Sequence, residues 1–164
     1  MPDDSPVALT DAAQPPRAIT SLTEAQCRKV LAGQRMCVVS VVDGDEPYAV
    51  PVFYGFDGDA LYLGVAEGRK TRVLDTNPRV YVIVTDVGPG DRWRSVGIAG
   101  RARTLSAPEE RQRGIEVLIA HNARLRRPDP DRPNASPRRP GSGRILCIED
   151  GIITGRAFGE PTGS

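Results

Sequence analysis

The spacing of its strand-like runs constrains this chain more than any other feature. Met36 to Val42, Tyr48 to Phe56, Ala60 to Val65, Arg79 to Val87 and Trp93 to Leu105 are rich in residues that favour strands, and they follow one another at short intervals. Asp43-Gly44, Gly58-Asp59 and Gly88-Pro89-Gly90 supply the turns between them. Asp57-Gly58-Asp59 joins Tyr48–Phe56 to Ala60–Val65 as a hairpin. Short, even spacing of this kind points to an antiparallel barrel. Ser21 with Glu24 reads as a capping box, and Cys27, Val30 and Leu31 fall on one face, which predicts a helix over Ser21–Ala32. A second box, Ser106 with Glu109, opens a helix with Pro108 in its first turn and an Ile115, Leu118, Ile119 stripe, ending near His121 to Leu125. Arg144–Glu149 and Ile152–Phe158 read as a closing pair of strands.

The chain has 164 residues, enough for one domain with a real core. The composition places that domain at residues 18–158. Residues 1–17, rich in Asp, Pro and Ala, read as a flexible arm; 126–143, rich in Pro and Arg, as a mobile insert; and 159–164 as a flexible tail. A net charge of +1 argues against a nucleic-acid or membrane-surface binder. No apolar run approaches a membrane span and Pro2 to Gln14 is too polar for a secretion signal, so the expected location is the cytoplasm. Cys27, Cys37 and Cys147 are widely spaced and read as buried free thiols; no metal site is signalled.

The stretch from Pro47 to Pro78 carries the candidate chemistry. After its hairpin, Gly68 frees the backbone, and Arg69, Lys70 and Thr71 open a short segment that ends at Asn77-Pro78. Backbone amides at a helix start favour an anion, and a guanidinium beside an ammonium adds charge-assisted hydrogen bonds, so the stretch reads as a phosphate-anchored cofactor site. Alone, Arg69 and Lys70 would be a solvated helix start; the glycine turn and the hairpin give them their meaning. Other features have plainer readings. His121 is expected at the surface near a helix C-terminus, and the tyrosines at strand positions are packing residues. Arg124, Arg126, Arg127, Arg138 and Arg139 belong to a solvated loop, and Asp43 and Asp45 flank Gly44 as turn formers rather than a catalytic pair.

Taken in order, Pro47-Tyr48-x-Val50-Pro51-Val52, Leu61-Tyr62-Leu63, Gly68-Arg69-Lys70, Leu74-x-x-Asn77-Pro78-x-Val80, Ser95-Val96 and Gly100-Arg101-Ala102 resemble the flavin-binding split-barrel family related to pyridoxamine 5'-phosphate oxidase. The likeness runs from about Thr23 to Leu105, with an echo at Ile145 to Arg156. It implies a six-stranded antiparallel Greek-key split barrel with flanking helices, a homodimer, and flavin mononucleotide (FMN) bound across the interface. By that resemblance Arg69 and Lys70 hold the phosphate, Val50, Pro51, Val52 and Phe53 run along the flavin ring, and Gly64 and Val65 lie beside it. Trp93 and Ser95 would come from the second subunit. Pro51, which cannot donate to a sheet ladder, marks an edge, a bulge or an open seam, and an open seam is where a planar ring could lie.

The departures narrow the activity. Many relatives place a His where this chain has Gly64, and the oxidases that begin the cofactor strand with Arg have Val50 here. Gly155-Arg156-Ala157-Phe158-Gly159-Glu160 lacks the Arg and His constellation that binds substrate phosphate, so pyridoxamine phosphate oxidation is not expected. The resulting expectation is a flavin-dependent oxidoreductase acting on a small molecule, with a nitro compound, a quinone and a nicotinamide-linked substrate all compatible. The alternatives are a deazaflavin-dependent reductase of the same fold and a flavin- or heme-binding protein without turnover.

Overall fold

The computed structural model describes residues 18–131 and 143–159. Residues 1–17, 132–142 and 160–164 lie outside the described residues, and with them the expected arm, most of the expected insert and nearly all of the tail. In chain order the elements are β1 (Ile19–Ser21), α1 (Glu24–Gly33), β2 (Met36–Asp43), β3 (Glu46–Phe56), β4 (Leu61–Val65), α2 (Arg69–Thr76), β5 (Arg79–Val87), β6 (Trp93–Thr104), α3 (Pro108–Arg124) and β7 (Arg144–Phe158). Six strands close on themselves in the order β7–β4–β3–β2–β5–β6, with β6 pairing back to β7, and every pairing is antiparallel. The short β1 pairs antiparallel with the end of β7. This is the mainly β barrel that the strand spacing predicts, with three helices packed around it.

Period-two patterning fixes which face of each strand turns inward. On β2, Cys37, Val39 and Val41 are buried while Met36, Val38 and Val42 are exposed; on β5, Val80, Val82 and Val84 are buried while Tyr81 is exposed. Gly44 (φ 68°) and Gly58 (φ 109°) make the β2–β3 and β3–β4 turns in a left-handed region that a side chain would resist. All three cysteines are buried free thiols, and burial pushes Cys37 up to about 12 and Cys147 up to about 11. They sit in the core as small apolar groups.

Four local expectations are corrected. The closing strands are a single strand of 15 residues, β7, rather than a pair. Glu149-Asp150-Gly151 reads as a turn, yet the ladder to β6 only shifts register there, between Ala99 and Arg101. Gly151 serves close approach, since a Cβ on it would lie 2.5 Å from Ile98 Cγ2. The capping box of α1 is Thr23 with Gln26, because Ser21 is engaged in β1 opposite Arg156. The cap of α3 is Ala107, with no side-chain hydrogen bond; Pro108 at the start supplies a preset φ and needs no acceptor for a missing N–H. Finally, His121 is buried, only 4% exposed. Its Nε2 lies 2.7 Å from the Gln34 carbonyl oxygen and its ring packs on Tyr54 with centroids 5.1 Å apart.

That burial follows from how closely α3 seats on β3. A Cβ on Gly55 would meet the Leu118 backbone at 2.9 Å, so helix and strand touch with nothing between them. Asn122 donates to the Tyr54 carbonyl at 2.8 Å, and Tyr54 donates its hydroxyl to the Leu31 carbonyl at 2.6 Å. Around this contact Tyr62, Leu105, Leu118, Ile145 and Cys147 form a second core cluster outside the barrel. No helix among the described residues is long and apolar enough to cross a membrane.

Candidate functional site

The barrel is split along β3. Residues Tyr54 to Phe56 pair with Leu63 to Leu61 of β4, but Glu46 to Phe53 pair only with β2. β4 pairs with β7 along its whole length, and beyond Leu63 it pairs only there, with Gly64 opposite Ile145 and Val65 opposite Arg144. The seam between the departing strands has Val50 to Phe53 on one side and Gly64 and Val65 on the other. Pro51 sits in the half of β3 that has a free edge, a place in a ladder that tolerates its missing N–H. Alternation separates the four β3 residues. Val52 is buried and Val50 packs against the core, whereas Pro51 and Phe53 face outward, Phe53 46% exposed. Only the outward pair offers side-chain surface; Val50 and Val52 could offer backbone.

Directly after β4 the chain reaches Gly68 and α2. Gly68 is extended (φ 166°, ψ −158°) and a Cβ there would meet nothing within 4 Å, so its value lies in open space rather than in an unusual dihedral. Thr71 caps the helix, its Oγ1 accepting from the Gly68 N–H at 2.9 Å. Arg144 straps α2 to β7 through Glu67 at 2.7 Å and through Asp75. Both carboxyls are held below their usual range mainly by hydrogen bonds from that guanidinium.

Arg69 and Lys70 differ in their surroundings. Arg69 Nε donates to Asp43 Oδ2 at 2.7 Å and Nη2 to Glu46 Oε2 at 3.0 Å, with the guanidinium 4.8 Å above the Tyr48 ring. These hydrogen bonds raise its pKa further. Lys70 is half-buried and makes no hydrogen bond or ion pair among the described residues. The turn acids Asp43 and Glu46, the Tyr48 face, and Arg35, whose guanidinium lies 5.2 Å from the Phe53 ring centroid, are site residues that sequence reasoning missed. Each is far in sequence from the group it touches, and no local pattern marks it. A flavin phosphate fits this turn through the free Lys70 ammonium, the open space at Gly68 and the unused N–H groups of Arg69; the carboxylates already on Arg69 temper that fit.

Trp93 and Ser95 lie elsewhere. Trp93 stacks on Phe158 with centroids 6.1 Å apart and planes at 17°. They share the outer face with Pro51 and Phe53 but are separated from β3 by β5 and β2, as the row Gly97–Ile83–Val38–Pro51 shows. Three strand spacings are roughly 14 Å. One copy of the chain therefore does not bring Trp93 and Phe53 together.

A recess of about 280 Å³ beside α2 is lined by Asp43, Arg69, Arg72, Val73 and Thr76. A larger one of about 370 Å³ lies on the far side, where Leu61, Ile98, Ile148 and Ile153 meet Asp59 and Glu149. Its carboxylates are already paired, Asp59 with Arg28 at 3.0 Å and Glu149 with Arg103 at 2.8 Å, so it offers no free charge.

A six-stranded antiparallel barrel opened between β3 and β4, with a cationic turn after the opening, is a split barrel. The chain belongs to the pyridoxamine 5'-phosphate oxidase family, whose pattern it matches over residues 23–157. It is similar to a FAD-binding protein of Mesorhizobium loti, with 26% identity, 85% of this chain and 97% of that one covered, and a TM-score of 0.66. A FAD-binding protein of Mycobacterium smegmatis shares the fold at 17% identity and a TM-score of 0.58, over 86% of this chain and 99% of that one. An uncharacterized protein of Rhizobium meliloti (strain 1021) is 27% identical over 88 residues, which are 54% of this chain and 58% of that relative's length.

Proposed function

We propose that this chain is a cytoplasmic flavoprotein that holds its flavin by the ribityl phosphate at Gly68-Arg69-Lys70, with FMN the minimal ligand the turn requires, and that it works as a flavin-dependent oxidoreductase on a small molecule. The observation that carries the reading is the placement of Arg69 and Lys70 directly after the strand that leaves the seam. The Mesorhizobium loti protein, which is FAD-binding, supports a flavin as the occupant. When bound, the flavin supplies the redox chemistry. The chain's own share is to anchor the phosphate with Lys70 and Arg69, line the seam with Pro51 and Phe53, and keep a cation, Arg35, against Phe53. The C-terminal strand ends at Phe158 without a His, so pyridoxamine phosphate is not the proposed substrate.

The active unit is proposed to be a homodimer. Met36, Val38, Val42, Phe53 and Tyr81 are 40–47% exposed on neighbouring strands β2, β3 and β5, a grouping of large apolar side chains on one face of the kind that marks an interface. A two-fold partner on this face would bring its Trp93 and Ser95 toward the seam that one copy leaves unfinished. Light scattering at micromolar concentration should give twice the chain mass, and a monomer that still holds flavin would defeat the dimer. For the flavin itself, the visible spectrum of the purified protein identifies flavin, deazaflavin or heme. The double variant R69A/K70A should bind FMN at least about tenfold more weakly. Unchanged titration of that variant would overturn the phosphate assignment.

A further inference from the structure

Resting on the flavin reading above, we propose that the Arg69–Arg72 face of α2 is a second-phosphate subsite, and that Asp43 and Glu46 bias the site toward the diester phosphates of FAD over the monoester of FMN. Two observations meet here. Arg69 is already charge-compensated: two of its five N–H donors go to Asp43 and Glu46, at 2.7 and 3.0 Å, which leaves three donors facing an environment with one net negative charge. The recess of about 280 Å³ runs on from Arg69 to Arg72, one turn further along the same helix face. Arg72 makes no side-chain hydrogen bond or ion pair among the described residues, so the recess is lined by a guanidinium with no partner among them.

The two carboxylates discriminate by charge. A phosphate monoester carries about −1.5 to −2 at neutral pH, and a diester phosphate carries −1. Repulsion from Asp43 and Glu46 grows with that charge, so FMN is penalised more than the inner phosphate of FAD. FAD also has a second phosphate to place, and Arg72 with the recess provides for it a bidentate donor that FMN cannot use. The bias is thus built from both sides, less repulsion at the first phosphate and an added contact at the second.

Fluorescence titration of FMN and FAD onto the full chain tests this. The wild-type protein should bind FAD more tightly than FMN. R72Q should weaken FAD about fivefold and leave FMN unchanged, and D43N/E46Q should strengthen FMN relative to FAD by about fivefold, an effect that shrinks as salt rises. An R72Q protein that loses both flavins equally or neither, or a D43N/E46Q protein with an unchanged FMN-to-FAD ratio, overturns the inference. R69A/K70A keeps the two claims apart: if it binds both flavins like the wild type, the phosphate assignment itself is wrong, whereas if it loses both while R72Q changes nothing, only the subsite fails.

Discussion

The two halves of β3 show how one strand serves fold and function differently. From Tyr54 to Phe56 it is buried, paired with β4 and pressed by α3, and the Tyr54 N–H also donates to the Arg35 carbonyl at 3.0 Å; from Glu46 to Phe53 it is paired only with β2 and carries outward apolar side chains and salt bridges at the solvent boundary. In the first half the hydrogen bonds go to neighbouring backbone. The Tyr54 carbonyl accepts from Asn122, the Tyr54 hydroxyl donates to Leu31, and His121 reaches the Gln34 carbonyl. In the second half, donors and apolar surface are left over. Substitutions in the closed half should therefore act on stability, and substitutions in the open half on binding.

The largest expected effect is at Gly55. A methyl group there meets the Leu118 backbone at 2.9 Å, and a helix backbone cannot rotate aside as a side chain can. Gly55→Ala should cost about 2–3 kcal/mol in urea unfolding, with flavin affinity unchanged for the protein that remains folded. A neutral Gly55→Ala would show that α3 rides loosely on the barrel and would break the contrast between the halves. Next is Tyr54→Phe, which leaves the Leu31 carbonyl without its 2.6 Å donor. The expected loss is about 1–2 kcal/mol, read from the same denaturation curves.

Much of this contrast was not legible in the sequence. The strands were, because alternation of valines on β2 and β5 reports burial one residue at a time. The split was legible only in part: Pro51 marks an edge, a bulge or an open seam, and the family resemblance chose the seam. The burial of His121 was not, since it depends on Gly55 letting α3 approach a strand more than sixty residues earlier in the chain. The continuity of β7 was hidden because Glu149-Asp150-Gly151 has the composition of a turn, and only the cross-strand neighbour Ile98 shows why a glycine is there. At the site, Arg69 and Lys70 could be picked out by their local setting. Asp43 and Glu46 could be read only as turn formers, because the helix that they hold comes 26 and 23 residues later.

A smaller effect sharpens the closed half further. Burial holds the His121 pKa below 6.5, aided by the Arg124 and Arg35 cations and opposed by the bond to the Gln34 carbonyl; its Nδ1 is buried without a hydrogen-bond partner. The folded state thus binds fewer protons than the unfolded chain below pH 6.5. Stability from this group is complete above that pH and declines as the pH falls from 6.5 toward the folded value. His121→Gln, whose amide can still donate to Gln34, should flatten that part of the stability–pH curve. Parallel curves for the two proteins would mean that His121 is solvated in solution.

The smallest stability effect belongs to the open half, at Arg69. Its side chain is 43% exposed, and its partners Asp43 and Glu46 are 41% and 72% exposed, so water and salt screen both ion pairs. The Tyr48 ring beneath the guanidinium adds little where the cation is hydrated. Arg144 and the buried Thr71, Val73 and Leu74 hold α2 in place by themselves. Arg69→Gln should therefore leave the melting temperature within about 2 °C of the wild type, while flavin titration shows a clear loss. If instead the melting temperature falls as far as it does for Gly55→Ala, the Arg69 cluster is part of the scaffold, and the open half of β3 is stabilised by the same residues that were assigned to its ligand.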